Sequence, residues 1–311
     1  MCPDHHTLID KPGAAEKYPD SHLAEWKRCH EAAIRTAGTL CSGTRAHALV
    51  VQAPIGGQPA SLDPKTIPFA MLQTGLVLDE DIETARVDAA GHAPKSLAYW
   101  NQAITRVRDE VRFRQNRWQQ QPRPLALFAL ADMPTLMALG YALGHAAAVS
   151  VFQFDPVPSG GSWCFPDPDA ESPEYRVLWP DTLEGSIALV ISVSGQVERN
   201  RVLAALPTGT NSIIEITVDE PTVDFVRGPK TLDEFARTFR KVVARLERTL
   251  TKSTTIHVFP AMPASLAITF GRFIKPKVSF PFQIYDAEGH RAPFAPAVSL
   301  PFLDQAPGVT T

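Results

Sequence analysis

Two patterns of hydrophobic residues alternate along the chain, one typical of strands and one typical of helices. Short apolar runs of strand length lie at 46–53, 123–132 and 186–193, and each stops near proline, glycine or serine, as buried strands of a parallel sheet do. Over 97–111 and 232–246, apolar residues instead recur every three or four positions, which predicts amphipathic helices. The alternation of the two patterns predicts an α/β fold with largely parallel sheets.

The same two patterns predict the secondary structure of most of the remaining chain. Further strands are predicted at 82–89, 147–155, 212–220, 254–261 and 277–286, and further helices at 20–35, 133–145, 197–206 and 262–274. The segment 156–180 differs because it holds six prolines and two adjacent glycines. We expect a crossover there, with an edge strand at 175–179 that proline keeps from pairing further.

The second half of the chain repeats the first. The block 126–143 (ALFALADMPTLMALGYAL) matches 256–273 (IHVFPAMPASLAITFGRF), and both hold a Met-Pro pair before a helix. A Phe-Gln pair follows in each copy, at 152–153 and 282–283. Ordered recurrence at a spacing of about 130 residues predicts an internal duplication and hence two α/β units. Two such units side by side form a pseudo-two-fold site, which suits a nearly two-fold ligand that carries two phosphates.

Candidate ligand-binding residues follow the predicted strands, because ligands of parallel sheets sit outside the carboxyl ends of the strands. In the first unit, they are Gln52, Pro54, Ile55, Asp132, Met133 and Pro134. In the second unit, they are Ser192, Ser194, Gly195, Gln196, Arg199, Ala261, Met262 and Pro263. The second set has the better chemistry for phosphate, since serine hydroxyls, glycine amides and a following helix N-terminus bind anions. The alternative is that all of these are ordinary turn and cap residues.

Composition narrows the functional classes. The net charge of −3 argues against a chain that binds nucleic acid over its whole surface. The sequence has no P-loop lysine and no GxGxxG motif, which disfavours an ATPase or a dehydrogenase. Four scattered cysteines indicate a reduced, cytoplasmic protein rather than a disulfide framework. No apolar run reaches the ~18 residues of a membrane helix, so no membrane partner is expected.

Two groups of side chains have both a functional and a structural interpretation. Trp163 and Phe165, in the proline-rich segment, could stack on a purine base, and Trp163 is retained as a candidate ligand contact. Aromatic residues at such places more often close the edge of a core, and packing is the favoured interpretation. The arginines of the helix over 106–117 are expected to form a solvated face, with a surface for DNA or a second protomer as the alternative: Arg106, Arg108, Arg112, Arg114 and Arg117.

The blocks HVFPAMPASLAITFGRFI (257–274) and FPFQIYD (280–286) resemble the SAVED domain, and the resemblance covers most of the chain. It implies a fusion of two CARF-like Rossmannoid units joined by the proline-rich crossover. It also implies a bacterial sensor in CBASS antiphage defence, which binds a cyclic oligonucleotide made by a partner nucleotidyltransferase and then self-associates. The domains expected on this basis are 45–158 for the first unit, 159–184 for the crossover and 185–311 for the second unit.

The N-terminus, 1–38, resembles a different domain. CPDHHTLIDK (2–11) and YPDSHLAEWKRCHE (18–31) are similar to the closing segment of an HNH endonuclease. The resemblance implies that His6 and Asp10 hold a Mg²⁺-type ion. It also implies a remnant that cannot cut DNA, because the general-base histidine and its orienting asparagine lie upstream in that family and are absent here. The alternatives are a structural zinc site with Cys2, Cys29 or His30, and a solvated chain end.

The expected function is that of the ligand sensor in an HNH–SAVED effector. The expected ligand is a purine-containing cyclic dinucleotide such as a cyclic GMP-AMP, with no cofactor in the sensor and a divalent cation only in the full-length nuclease. Ligand-driven assembly would bring HNH domains together on double-stranded DNA. Two alternatives stay open. One is a ring nuclease that degrades cyclic oligonucleotides, with Asp132 and the rim serines as candidate groups, and the other is a scaffold that binds no ligand.

Overall fold

The structure is a computed structural model. It describes residues 42–55, 64–89, 91–144, 148–156, 161–287, 289 and 292–302, with a few single positions between 24 and 40. From residue 42 onward, this described part forms two sheets with ten strands, and six α-helices. The strands are β1 (Thr44–Gln52), β2 (Leu76–Arg86), β3 (Leu125–Leu130), β4 (Val149–Phe152), β5 (Arg176–Leu178), β6 (Ser186–Ser192), β7 (Asn211–Thr217), β8 (Ile256–Ala261), β9 (Phe282–Asp286) and β10 (Ala295–Leu300). The helices are α1 (Ile67–Gln73), α2 (Leu97–Gln120), α3 (Met133–Leu143), α4 (Arg199–Ala205), α5 (Pro229–Thr249) and α6 (Ala264–Arg272).

Each half of the chain builds one sheet around four parallel strands. The first sheet has the order β2-β1-β3-β4, and every pairing in it is parallel. The second has the order β10-β9-β8-β6-β7-β5, in which only the edge strands β10 and β5 are antiparallel. Its inner strands β7-β6-β8-β9 therefore repeat the order of the first sheet. This repetition confirms the fold class predicted from the duplicated Met-Pro and Phe-Gln pairs, whereas the domain boundaries stay a prediction.

The central strands and the long helices form for different reasons. β1, β3 and β6 are nearly continuous runs of buried alanine, valine, leucine and isoleucine, as expected of strands covered on both faces. α5 instead buries one stripe of its surface and exposes the charged remainder, which is the pattern of an amphipathic helix. The apolar side chains of that stripe are Leu232, Phe235, Phe239, Val242 and Leu246.

The two Met-Pro helices, α3 and α6, pack directly against each other between the sheets. Both are buried along most of their length. They approach through glycine: a Cβ on Gly140 would lie under 3.0 Å from the carbonyl oxygen of Ile268, and a Cβ on Gly271 equally close to that of Met137. The contact is reciprocal, because each glycine faces the backbone of the equivalent turn in the other helix. Only glycine allows this approach of the two backbones.

Polar side chains also tie the two units together beside this crossing. Gln153, which follows β4, accepts hydrogen bonds at Oε1 from the backbone N–H and the hydroxyl of Ser265, at 3.1 and 2.8 Å. It thereby satisfies a free amide in the first turn of α6. In return, Arg272 at the end of α6 donates to the carbonyl oxygens of Gly144 and Val149, at 3.3 and 3.0 Å. Each unit therefore completes the hydrogen bonding of the other.

Replacing Gln153 with alanine is expected to lower the free energy of unfolding by about 1 kcal/mol, because the first-turn amide of Ser265 loses its acceptor. Gln153→Glu is the matched control, since it keeps an acceptor oxygen at the positive end of a helix and should cost less. Chemical denaturation of the three proteins measures both changes. Equal losses for alanine and glutamate would show that Gln153 does not act as a cap.

Several elements differ from their predicted positions. β2 begins at Leu76 rather than at 82, and β9 begins at Phe282 rather than at 277. α1 and β10 were not predicted. The strand predicted at 82–89 thus overlaps only the end of β2, whose middle, 79–83, is the acidic stretch DEDIE.

Arginines of α2 explain how so acidic a strand can form. Arg114 is buried and donates to the Glu83 carboxylate at 3.0 Å and to the Thr84 carbonyl at 3.1 Å, while Arg117 pairs with Glu80. The expectation of a wholly solvated arginine face is therefore wrong for Arg114, whereas Arg117 is 48% exposed even in its pair with Glu80. Arg106 and Arg112 are exposed, as expected.

Candidate functional site

A cavity of about 570 Å³ opens at the carboxyl ends of the parallel strands. Residues from both halves of the chain line it, so it lies across the two units. Its size falls within the ~300–1,000 Å³ of small-molecule sites. The lining residues are Ile55, Pro94, Lys95, Ala131, Asp132, Met133, Asp286, Ala287 and Gly289.

The strand ends position these residues. Ile55 follows β1, Asp132 follows β3, and Asp286 is the last residue of β9. Asp132 is also the residue before α3, and its side chain makes no hydrogen bond to the first turn of that helix. The N-terminus of α3, with its free amides and partial positive charge, therefore lies at the wall of the cavity.

Lys95 connects the two units across the cavity. Its ammonium group lies 2.7 Å from Oδ2 of Asp286 and donates to the carbonyl oxygen of Ala287 at 2.8 Å. Both charged side chains are only 16% exposed.

Lys95 also has a φ of 60°, in the left-handed region that residues other than glycine seldom adopt. The backbone strain at Lys95 is stored at the cavity wall, a location typical of functional sites.

A second carboxylate lies close by. Asp132 is 7% exposed and accepts a hydrogen bond at Oδ2 from the Tyr99 hydroxyl at 2.9 Å. Burial raises the pKa of Tyr99 well above its ordinary value, and the adjacent Asp132 raises it further. Burial likewise raises the pKa of Asp286, and the charge of Asp132 adds to the increase, while Lys95 opposes it. The cavity therefore brings together two carboxylates and one cation in a poorly solvated place.

The segment after β9 forms another wall and is held from the opposite side by Arg201 of α4. The guanidinium of Arg201 donates to the carbonyl oxygens of Ala292 and Gly289, at 3.1 and 3.3 Å, and lies 4.5 Å from the ring centroid of Phe294. The segment is therefore bound to the first unit through Lys95 and to the second through Arg201.

The structure brings only part of the predicted set together. Ile55, Asp132 and Met133 line the cavity, as expected for the end of a parallel sheet. Gln52 and Pro54 are half-buried beside it but do not line it, and Pro134 is buried in the first turn of α3. The sequence did not indicate the other six lining residues: Pro94, Lys95, Ala131, Asp286, Ala287 and Gly289. The position of Asp286 directly after FQIY was a usable signal, because it marks a strand end.

The second rim is less open than expected. Ser192 is fully buried, and its hydroxyl accepts the amide of Val197 at 3.4 Å. The carbonyl oxygen of Ala261 accepts the amides of Val193 and Ser194, at 2.8 and 2.9 Å. Met262 and Pro263 are buried, while Gly195 and Arg199 do not line the cavity. The hydroxyl of Ser192 and the amides of Val193 and Ser194 are therefore used internally, whereas anion binding by Gly195 and the exposed Arg199 stays a prediction.

Gln196 contributes instead to a separate, smaller pocket of about 310 Å³ beside the edge strand β5. That pocket is lined by residues of the second sheet and of the loops beside it, and by none of the first unit. Its other walls include Arg176 and Asp219, which form an ion pair at 2.8 Å. The predicted rim residues are thus divided between two places.

Trp163 does not contact the cavity. Its side chain is 0% exposed, and its ring makes edge contacts with Phe128 and Phe154, at centroid distances of 5.3 and 5.1 Å. A ring enclosed in this way cannot stack on a ligand without leaving the core. Its assignment as a ligand contact is therefore corrected, and the packing interpretation is the one that the geometry favours. Phe165 is buried with it.

The predicted metal ligands His6 and Asp10 lie outside the residues that the structure describes. Among those that it does describe, no three His, Cys, Asp or Glu side chains are grouped so that they could hold a metal ion. Within the same residues, no helix has the length and apolar character needed to span a bilayer.

Comparison with known structures identifies similar folds. The chain is similar to the Acinetobacter baumannii Cap4 SAVED/CARF-domain containing receptor with the cyclic trinucleotide 2'3'3'-cAAA, at a TM-score of 0.51 and 13% identity over 82% of this chain and 51% of that one. The same receptor with 3'3'3'-cAAA gives a TM-score of 0.51 and 12% identity over the same shares. At this identity, the likeness concerns the fold alone. The chain spans about half the length of these receptors.

Comparison with curated protein sequences finds no match. A family model does match: it is SAVED, the SMODS-associated and fused to various effectors sensor domain, and it covers residues 104–300. The matched region includes α3, α6 and β9, which form the crossing and one wall of the cavity. Because the model covers more than half of the chain, this protein belongs to the SAVED family of sensor domains.

Proposed function

We propose that this chain is a sensor that binds a cyclic oligonucleotide in the cavity between its two units. The observation that carries the proposal is the cavity itself, which lies at the carboxyl ends of parallel strands, where ligands of such sheets bind, and which both units line. The similar Cap4 receptors, whose structures contain cyclic trinucleotides, support the class of ligand.

The wall of the cavity offers suitable groups for each part of a nucleotide. The first-turn amides of α3 and the ammonium of Lys95 would bind a phosphate. The carboxylates of Asp132 and Asp286 would accept hydrogen bonds from base or ribose donors, because they repel phosphate. The apolar side chains of Ile55 and Met133 would pack against a base or sugar.

For the size of the ligand, we propose a cyclic dinucleotide. Its support is the pseudo-two-fold relation of the two units, which the reciprocal contact of Gly140 and Gly271 illustrates. A cyclic trinucleotide, as in the similar receptors, is the alternative that the titration below distinguishes. Degradation of the ligand is less well supported. Among the described lining residues there is no histidine, and the candidate base Asp132 already accepts the hydroxyl of Tyr99.

Two further parts of the proposal rest on the sequence. The first is that the bound ligand drives self-association, which requires that the ligand bind the assembled state more tightly than the free one. The second is that the N-terminal segment belongs to a Mg²⁺-dependent HNH endonuclease that assembly would activate on DNA in the bacterial cytoplasm. Its support is the resemblance of 2–11 and 18–31 to that domain.

Isothermal titration with cyclic di-GMP, cyclic di-AMP, cyclic GMP-AMP and 3'3'3'-cAAA tests the sensor proposal. At least one member is expected to bind with a dissociation constant in the micromolar range or below. Ile55→Trp should weaken that binding about tenfold or more, because an indole would occupy part of the cavity. Val278→Trp is the matched control. Val278 is similarly exposed but precedes β9, at the end of the sheet opposite the cavity.

The outcomes separate the parts of the proposal. Binding by no member would contradict the sensor function, and equal losses in the two tryptophan variants would place the site elsewhere. Sedimentation velocity with and without the bound ligand tests assembly, for which an unchanged mass is the contradicting result.

A further inference from the structure

We infer that the two carboxylates of the cavity, Asp132 and Asp286, make it selective for closed rings, because they repel the extra negative charge that appears when a ring is opened. This inference rests on the proposed function, since it concerns the same cavity. It extends that function from a class of ligand to a discrimination between a cyclic oligonucleotide and its linear products, and it assigns the residues that make it.

The chemistry of the ligand carries the first step. Each phosphodiester in a cyclic dinucleotide carries a single negative charge. Hydrolysis of one of them adds water, breaks one P–O bond, and leaves a hydroxyl group and a terminal phosphate monoester. A phosphate monoester carries a charge of about −1.5 to −2 at pH 7, so the linear product is more negative than the ring. Because the two forms share their bases and riboses, charge and flexibility are what distinguish them.

The charges at the cavity wall carry the second step. Among the described residues that line it, Lys95 is the one cation, and it already pairs with Asp286 at 2.7 Å. Asp132 adds a second negative charge, which the hydrogen bond from the neutral hydroxyl of Tyr99 does not remove. The guanidinium of Arg201 is bound to the backbone of the segment after β9 and does not line the cavity. Within the described lining, carboxylates therefore outnumber cations.

Poor solvation carries the third step. Asp132 is 7% exposed, and the side chains of Lys95 and Asp286 are 16% exposed, so water and salt screen these charges weakly. The raised pKa of Asp286 agrees with this, since burial is its main cause and the charge of Asp132 adds to it. Lys95 and the first-turn amides of α3 suit the single charge of a phosphodiester. A further charge would meet a carboxylate instead, and such repulsion is a usual source of specificity.

The test titrates two linear probes in competition with the panel member that binds most tightly. The probes are its ring-opened forms with and without a 5′-phosphate, which for cyclic di-GMP are pGpG and GpG. Both are flexible, so comparing them isolates the added charge. The wild-type chain should bind pGpG about tenfold more weakly than GpG.

Asparagine variants test the two carboxylates. Asp132→Asn should remove most of this difference, because asparagine keeps an acceptor for the Tyr99 hydroxyl but lacks the charge. Asp286→Asn should also reduce it, because the charge of Lys95 is then less offset, and it provides a second test if the first variant is unstable. Glu171→Gln is the control for overall charge, since it removes an exposed carboxylate that does not line the cavity.

Each outcome gives a decision. A penalty for the 5′-phosphate that the asparagine variants reduce and Glu171→Gln leaves unchanged supports the inference. Equal affinities for the two linear probes in the wild-type chain, or tighter binding of the phosphorylated one, overturn it while leaving the sensor function intact. A penalty that a folded asparagine variant leaves unchanged also overturns it, because another group would then exclude the phosphate. Binding of no panel member contradicts the sensor function itself.

Discussion

Replacing Gly140 with alanine is expected to lower the free energy of unfolding by about 3 kcal/mol, at the upper end of the usual cost of overpacking. The added methyl group would lie under 3.0 Å from the carbonyl oxygen of Ile268, which is backbone and cannot rotate away. α3 and α6 would have to separate, and the packing between the two units would loosen with them. Gly271→Ala should have a similar effect, because its methyl group would meet the carbonyl oxygen of Met137.

The control for this prediction is Gly195→Ala. No atom lies within 4 Å of a Cβ at position 195, and its backbone is not in the left-handed region, so the substitution should change stability little. The midpoint of chemical denaturation measures all three variants. The double variant Gly140→Ala/Gly271→Ala should cost less than the sum of the single ones, since one separation of the helices relieves both clashes. Stability of Gly140→Ala equal to that of Gly195→Ala would contradict the close approach.

Replacing Trp163 with alanine is expected to cost about 3–5 kcal/mol, the range for a buried tryptophan. The indole is enclosed by Phe128 and Phe154, and its removal leaves a void that the sheet cannot fill. Trp163→Phe should cost much less, because it keeps an aromatic ring. It also removes an indole N–H that has no hydrogen-bond partner among the described residues.

Ligand titration distinguishes packing from stacking at this position. Because Trp163 lies in the core and not in the cavity, Trp163→Phe should bind cyclic oligonucleotides as tightly as the wild-type chain does. Denaturation curves recorded alongside show whether each variant is folded. A folded Trp163→Phe variant that loses tenfold or more in affinity would restore the stacking interpretation.

The elements that were predictable from sequence are those with strong internal patterns. β1, β3 and β6 are apolar runs buried on both faces, and α2 and α5 follow the helical period, so their identities do not depend on distant residues. The Met-Pro and Phe-Gln pairs add information because duplication constrains the order of both halves. The largely parallel pairing in each sheet agrees with that prediction, whereas the order of the strands is known only from the structure.

What was not predictable depends on partners far away in the chain. The acidic stretch 79–83 has a composition that is unusual for a strand. It forms part of β2 because arginines of α2, about 30 residues further along the chain, pair with its carboxylates. The cavity shows the same limit. Asp132 was found because it follows an apolar strand, but Lys95 precedes a helix in an unremarkable sequence, APKS. Its importance comes from Asp286, which only the folded chain brings within 2.7 Å.

The bridge made by Lys95 also sets when the cavity can exist during synthesis. The carbonyl group that Lys95 binds, that of Ala287, is made 192 residues later than Lys95. At typical rates of about 5–20 residues per second, roughly 10–40 s separate the two on the ribosome. A nascent chain that has completed the first unit therefore has one wall of the cavity without the other. Incomplete chains therefore lack the complete cavity and, on the proposed function, cannot bind the ligand there.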